Sequence, residues 1–558
     1  MATYLIVGGV AGGAGVAARL RRRDEQAEII IFERGEHISF ANCGLPYYAG
    51  GVIEDRSSLF VMTPELFKRV LNVEARVNSE VVSVDRAQKK ITVRNVKNDT
   101  TYVQAYDHLI LSPGATPIRP PIPGIDHPSI MTLRSVGDID RIKASIDRSE
   151  TKRAVVIGGG FIGLEMAENL KHRGFDVSLV EALDQVMNVI DYDFAAQVQQ
   201  HMRSKGVALH LKDPVKGFSE KDGAVLVELE SGKVLETDLV ILSIGVRPDT
   251  AFLKESGIVL SSTGAIVVDD YFTTSDPSIR ALGDAICFTC PLTDHSITVP
   301  LAGPANKQAR LLADALIDGN KRPYKGTIGT SIAKVFDLTV ASTGLSEKTL
   351  VSSKLPYKSA VTHTSCHADY YPGSLPLSLK ILFHPTTGKI WGAQAVGYEG
   401  VDKRIDVISA FIGMEGTVYD LAEFEHAYAP PFSSAKDPIN MVGFIGMNAL
   451  EGISNPISWK EVDRFIEQGA VILDPRSETE TMAGGMLPGA INIPHTALRK
   501  RIAEVPRNRP IVITCAMGVR GYLAERILRG NGFTEVYNLT GGLRSYTTAK
   551  SELARLNQ

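Results

Sequence analysis

Two cysteines stand where a thiol could do chemistry. Cys43 lies in Ser39-Phe40-Ala41-Asn42-Cys43-Gly44-Leu45-Pro46, and Cys515 opens Cys515-Ala516-Met517-Gly518-Val519-Arg520. A thiolate attacks the sulfur of a disulfide or persulfide, so its value depends on how easily the thiol loses its proton. Glycine after Cys43 and the start of a helix predict a lowered pKa for it. Around Cys515, consecutive amides closing on a helix N-terminus with Arg520 could hold the anionic sulfur of a cysteine persulfide. The other three cysteines offer less. Cys287 and Cys290 form a C-x-x-C without a second pair, and Cys366 sits between His363 and His367 without a convincing fourth ligand. All are read as structural, with no metal site.

A thiol in redox use needs an electron supply, and two glycine turns point to one. Thr3-Tyr4-Leu5-Ile6-Val7 is an apolar strand running into Gly8-Gly9-Val10-Ala11-Gly12-Gly13 and an alanine-rich helix to about Arg23; the next strand, Ile29–Phe32, ends in Glu33. Glycine lets a pyrophosphate approach the backbone at a helix N-terminus, and Glu33 can accept hydrogen bonds from a ribose. Val10 stands at the middle glycine position. The pattern recurs unbroken: Ala154–Ile157, then Gly158-Gly159-Gly160-Phe161-Ile162-Gly163, then Val177–Val180 ending in Glu181, 18 residues beyond Gly163. A carboxylate there binds an adenosine 2′-hydroxyl and repels a 2′-phosphate, and Ala182, Leu183 and Asp184 supply no arginine, so NADH is expected over NADPH. Gly245, in Ile241–Pro248, closes this second unit. The basic run Arg19, Arg21, Arg22, Arg23 reads either as a solvated face or as a phosphate clamp.

Composition narrows the class. At 558 residues the chain should hold three to four domains of about 150 residues. A net charge of −3 gives no general attraction to nucleic acid or acidic membranes. Apolar runs fall short of the roughly 18 residues of a membrane helix, and the N-terminus has no signal-peptide architecture. The cytoplasm is the expected location, where a working thiol stays reduced.

The run Ser39-Phe40-Ala41-Asn42-Cys43-Gly44-Leu45-Pro46-Tyr47-Tyr48 resembles the active-site segment of single-cysteine flavin disulfide reductases, most closely the coenzyme A-disulfide reductases. Dithiol relatives carry a second cysteine five positions on, where this chain has Tyr48. Val471–Arg476, Pro488–Pro494 and Asn538–Leu543, around the strand Ile511–Thr514, resemble the rhodanese fold. Together they extend the likeness to the fused coenzyme A-disulfide reductase–rhodanese proteins, the NADH-dependent persulfide reductases.

The resemblance implies an α/β architecture of two Rossmann-like dinucleotide-binding domains, one for FAD and an inserted one for NAD, followed by an α+β dimerisation domain and a C-terminal rhodanese α/β domain. The expected bounds are 1–117 and 250–325 for FAD, 118–249 for NADH, 326–449 for dimerisation, 450–456 as linker and 457–558 for the rhodanese domain. It implies FAD held by Gly8, Gly13, Glu33, the backbone of Val81, Asp284 and Ala302, and NADH held by Gly158, Gly160, Gly163, Glu181 and Gly245. Coenzyme A would be the substrate or thiol carrier, met by Arg19, Arg22, Ser39, Asn42 and Lys436. Tyr370 and Tyr428 would assist from the partner of a homodimer, and Arg520 would serve Cys515. The implied activity is NADH-dependent reduction of coenzyme A persulfide, polysulfide and coenzyme A disulfide through Cys43, with sulfane-sulfur transfer by Cys515 and release of sulfide. An NADH oxidase or peroxidase working through a Cys43 sulfenic acid would share the frame, but related peroxidases carry histidine at the position of Val10. A persulfide-sensing module without turnover is the other alternative.

Overall fold

The structure, a computed structural model, describes residues 2–556. It comprises two compact units: one runs to Leu183 and resumes over Gly206–Gly329, the other takes Asp184–Lys205 and the chain from Thr330 on.

The first unit is built on two parallel five-stranded sheets. One has the order Ile279–Ala281, His108–Leu111, Thr3–Val7, Glu28–Phe32, Glu74–Arg76; the other, Val207–Leu211, Asp176–Glu181, Arg153–Ile157, Leu239–Leu242, Ile130–Met131. Strands buried on both faces read as continuous apolar runs, which is why Leu5-Ile6-Val7 and Val155-Val156-Ile157 do not alternate. The strand Ile279–Ala281 adds to the edge of the first sheet beside His108–Leu111, so the second nucleotide unit is an insertion between two neighbours in one sheet. Antiparallel pairing of Ala115–Pro117 with Val246–Pro248 forms the neck of that insertion.

The second unit begins with an antiparallel sheet ordered Ser331–Val335, Leu338–Gly344, Ile390–Gly397, Pro376–Phe383, Lys358–Ser365. A parallel sheet follows, ordered Pro456–Ile457, Val536–Leu539, Ile511–Ile513, Val471–Asp474, Ile491–Asn492.

The helix Tyr192–Ser204 departs from the expected boundaries. In sequence it lies inside the NADH segment 118–249, yet its contacts are in the second unit. Tyr192 and Ala196 join one apolar cluster with Ile457, Trp459, Val462, Ile472, Val512 and Leu539. Its polar edge is tied there as well, Gln199 Nε2 donating to Glu552 at 3.1 Å. The C-terminal segment, expected as a separate domain, thus shares a core with this helix. Just before and within the helix, Asp191 and Asp193 each lie 3.0 Å from the fully buried Lys380 amine, and Glu347 lies at 2.8 Å and also meets Lys460 at 2.5 Å. Buried charges persist only when paired in this way. No helix among the described residues is long and apolar enough to cross a membrane.

Candidate thiol and sulfur-transfer sites

The two glycine turns are near copies. Gly8 and Gly158 take left-handed φ values of 95° and 108°. A Cβ on Gly13 would strike the carbonyl of Gly8, and one on Gly163 that of Gly158. In each copy the strand-end glutamate accepts two backbone amides: Glu33 from Gly9 (2.9 Å) and Gly35 (2.8 Å), Glu181 from Gly159 (2.6 Å) and Leu183 (2.8 Å). A carboxylate held at the turn keeps lone pairs for a ribose. A Cβ on Gly160 would meet nothing within 4 Å, so packing does not demand glycine there and the backbone is open to an approaching phosphate. These features fit a dinucleotide in both halves. Val81 is buried in the strand Ser79–Asp85, whose Ser79 amide donates to the Glu33 carbonyl. Asp284 lies in a short turn after Ile279–Ala281; burial raises its pKa, against the pull of Arg134. Ala302 opens the helix Ala302–Asp318 and is exposed, and Gly245 is a left-handed turn at φ 118°.

Cys43 sits in the 3-10 turn Asn42–Gly44 ahead of the helix Leu45–Gly50. Ser39, held left-handed at φ 47°, donates its amide to the Gly9 carbonyl at 2.8 Å, so the cysteine segment hangs from the first glycine turn. The buried Asn42 Oδ1 has no hydrogen-bond partner among the described residues. The expected lowering of the thiol's pKa is overturned. Although the residue is exposed overall, crowding around its sulfur, then the carboxylates Glu165 and Asp284, raise it. The Gly44 amide donates to the Ala41 carbonyl rather than to the sulfur, and the following helix is only six residues long.

Glu165 and Tyr47 are functional candidates the sequence did not yield. Glu165, on the helix Phe161–His172, is pushed up to about 7 by burial and by Glu168. Its hydrogen bond with Tyr47 links it to the cysteine's own segment, and Tyr47 rises to about 12 through burial and then Glu165. A glutamate two residues past a nucleotide turn reads as a solvated helix face, and no local spacing announces its neighbour across the insertion.

Arg19 and Arg22 divide. Arg19 binds Asp314 at 2.7 Å, sharing it with Arg23, whereas Arg22 is exposed. Arg21, from the same run, is buried and donates to the carbonyls of Leu71, Asp24, Glu25, Ala27 and Asn72.

In the second unit the hydroxyls of Tyr370 and Tyr428 meet at 2.8 Å, on side chains 75% and 46% exposed. That bond raises the pKa of Tyr370. Their loops are joined from beneath by Arg404, which the sequence did not single out. It is fully buried, pairs with Asp437 at 2.8 Å and donates to the Cys366 carbonyl at 2.9 Å. Ser433 donates to the same Asp437. Lys436 is exposed just ahead of the helix that Asp437 caps. Cys366 Sγ meets His367 Nδ1 at 3.0 Å, with Glu399 as the third possible donor within 4.8 Å. His363 bridges Ser378 (2.8 Å) and Ser545 (2.9 Å).

Cys515 follows the strand Ile511–Ile513 and is 1% exposed. Gly518, at φ 104°, caps the helix Val519–Gly530 and donates its amide to Cys515 Sγ at 3.0 Å. Arg520 forks onto Glu480 at 2.6 and 2.7 Å. The geometry is a buried sulfur that accepts a backbone amide of its own loop, with the Arg520 guanidinium, forked onto Glu480, near enough to interact with it electrostatically, an arrangement suited to an anionic sulfur adduct.

The profile of the pyridine nucleotide-disulphide oxidoreductases matches residues 2–309, that of their dimerisation domain 330–438, and that of the rhodanese-like domain 458–549. The coenzyme A disulfide reductase of Staphylococcus haemolyticus is 37% identical over 444 residues, covering 80% of this chain and 99% of that protein. Among solved structures, reduced Bacillus anthracis CoADR-RHD superposes with a TM-score of 0.96 at 50% identity, covering 99% of this chain and 98% of its own. A NAD-dependent persulfide reductase from A. fulgidus superposes with a TM-score of 0.91 at 35% identity, over 98% of this chain and all of its own.

Proposed function

The chain belongs to the pyridine nucleotide-disulphide oxidoreductase family, extended by a rhodanese-like domain, and from that premise we propose that it is an NADH-dependent flavoenzyme reducing coenzyme A persulfide, polysulfide and coenzyme A disulfide. The single observation that supports the choice of substrate is that one chain carries two candidate thiols: Cys43, with Tyr48 in place of a second cysteine, and Cys515 in its own backbone loop. A sulfur-transfer centre adds nothing to plain disulfide reduction, but it can supply sulfane sulfur.

FAD, when bound, passes two electrons from a reduced nicotinamide to sulfur. Gly8, Gly13, Glu33, Val81, Asp284 and Ala302 would hold it; Gly158, Gly160, Gly163, Glu181 and Gly245 would hold NADH. Ser39, Asn42, Arg22 and Lys436 would seat coenzyme A, with Arg19 shared with Asp314. The Cys43 thiolate attacks the sulfane sulfur of coenzyme A persulfide, displaces coenzyme A thiolate and is left as a persulfide. Two electrons and protons then return Cys43 and release sulfide; coenzyme A disulfide would yield two coenzyme A thiols for the same two electrons. Tyr370 and Tyr428, exposed and hydrogen-bonded to each other, would protonate the leaving thiolate from the partner of a homodimer. Cys515, aided by Arg520, takes sulfane sulfur from a donor and passes it to coenzyme A.

The test is anaerobic NADH oxidation with coenzyme A disulfide, coenzyme A persulfide and polysulfide in parallel. Cys43→Ser should abolish all three, and Cys515→Ser should abolish transfer from a sulfane donor while sparing the disulfide reaction. Sulfide release that survives Cys43→Ser would overturn the assignment.

A further inference from the structure

The loop that holds Cys515 does not stand on the C-terminal sheet alone. The amides of Leu543 and Arg544 donate to the carbonyls of Cys515 (2.7 Å) and Ala516 (3.1 Å), so the first turn of the helix Gly542–Arg555 buttresses the sulfur loop from behind. Ahead of that turn, Gly541 and Gly542 have left-handed φ values of 71° and 61°. A Cβ on Gly542 would collide with the Cys515 carbonyl. One on Gly541 would come within 2.8 Å of Val361 and 3.1 Å of His363 Nε2. Val361 and His363 belong to the strand Lys358–Ser365, at the edge of the antiparallel sheet that precedes the C-terminal domain.

That edge is hydrogen-bonded to the same turn at three places. The Val361 amide donates to Thr540 Oγ1 at 2.9 Å, the Thr540 hydroxyl donates to the Val361 carbonyl at 3.4 Å, and His363 Nε2 and Ser545 Oγ bond at 2.9 Å. All are buried. On its other side His363 Nδ1 bonds Ser378, whose hydroxyl donates to Gln197 of the helix Tyr192–Ser204 at 2.9 Å. His363 is therefore fixed from two directions and presents one nitrogen to the turn that backs Cys515.

We propose that His363 is a positioning residue for sulfur transfer at Cys515: the sheet edge of the dimerisation domain, through His363–Ser545 and Val361–Thr540, holds the Gly541–Gly542 turn and so sets the loop that receives the sulfur. The proposal rests on Cys515 being a transfer centre. It makes the transfer site a product of two domains, with His363 touching no substrate.

The test uses the full-length holoenzyme and thiosulfate with cyanide. Thiosulfate gives its sulfane sulfur to the Cys515 thiolate and leaves as sulfite; cyanide takes that sulfur as thiocyanate and restores the thiolate. His363→Leu should lower the kcat of this transfer about tenfold, as expected when a reacting group is displaced by a fraction of an ångström. Cys515 alkylation should slow in parallel, while NADH-dependent coenzyme A disulfide reduction keeps its rate within about twofold. His363→Gln, which can still bond Ser545, should recover most of the transfer rate. Thr540→Val provides a second cut at the same connection should the leucine variant fold poorly. Wild-type transfer and alkylation in Thr540→Val or His363→Leu, or equal losses in the leucine and glutamine variants, would overturn the proposal. Cys515→Ser separates it from its premise: transfer that persists without Cys515 refutes the transfer centre itself.

Discussion

Glu165, pushed up to about 7 by burial and Glu168, acts on the Cys43 thiol. Its ionised form raises the pKa of Cys43, so Glu165→Gln should shift the pH–rate profile of Cys43 alkylation by iodoacetamide to lower pH. An unchanged profile would mean that the carboxylate does not reach the sulfur. The stability sign is the reverse of an ordinary ion-paired glutamate. Because its folded pKa of about 7 lies above the ordinary glutamate value, ionising Glu165 costs stability that grows as pH rises to about 7 and is relieved as pH falls. The melting gain of Glu165→Gln should thus grow between pH 5 and 8, to roughly 3 kcal/mol at most. Glu181 carries a second residue-scale expectation: Glu181→Ser should narrow the preference for NADH over NADPH, read as the ratio of kcat/KM values, by about tenfold. What the sequence conveyed at this scale was local. The glycine turns, Glu33 and Glu181 are visible because a backbone turn dictates its own residues. The Cys43 pKa ran opposite to expectation because tertiary packing buries the sulfur and then brings Glu165 and Asp284 towards it from distant segments.

At the scale of elements, Arg404 decides whether two loops meet. One buried guanidinium joins the Cys366 carbonyl of the Tyr370 loop to Asp437 and, through it, Ser433 of the Tyr428 loop. Arg404→Met would strand the Asp437 carboxylate and should cost about 3–5 kcal/mol in denaturant melts. Coenzyme A disulfide reduction should fall with it; Arg404→Met with Asp437→Asn should recover part of the stability. The tyrosine pair was legible only through family resemblance, and its support was not, since a single arginine in an amphipathic helix looks like any solvated one. The helix Tyr192–Ser204 was hidden for a similar reason. Chain order assigns it to the nucleotide unit, while Tyr192 and Ala196 answer to a core contributed by residues beyond position 450.

Across the second unit, acid should act at two places. Burial, then Arg544, holds His363 down to about 3, so the stability it contributes is present above 6.5 and is lost as pH falls towards 3. Glu347 is buried, yet Lys380 and Lys460 hold it at about 2; its contribution is present above 4.5 and is lost below. Burial raises Asp193 in the same cluster, so it works against that trend. Hydrogen exchange compared at pH 7 and pH 5 should reveal loosening first around Thr540–Ser545, where His363 is the titrating group. Loosening that starts at Glu347 instead would contradict this order. At this scale the parallel and antiparallel sheets were foreseeable from strand composition and resemblance, whereas the seam between dimerisation and C-terminal segments was not, because its hydrogen bonds use threonine, serine and a lone histidine.

The bonds from Thr540 to Val361 also close an open flank. The strand Lys358–Ser365 ends its sheet, and unpaired amides on such a strand recruit other chains into runaway stacking. The last hundred residues therefore double as a shield against self-association: a chain stopped after Gly452 would bare that strand together with Tyr192 and Ala196, and light scattering should register clumping where the intact protein stays clear.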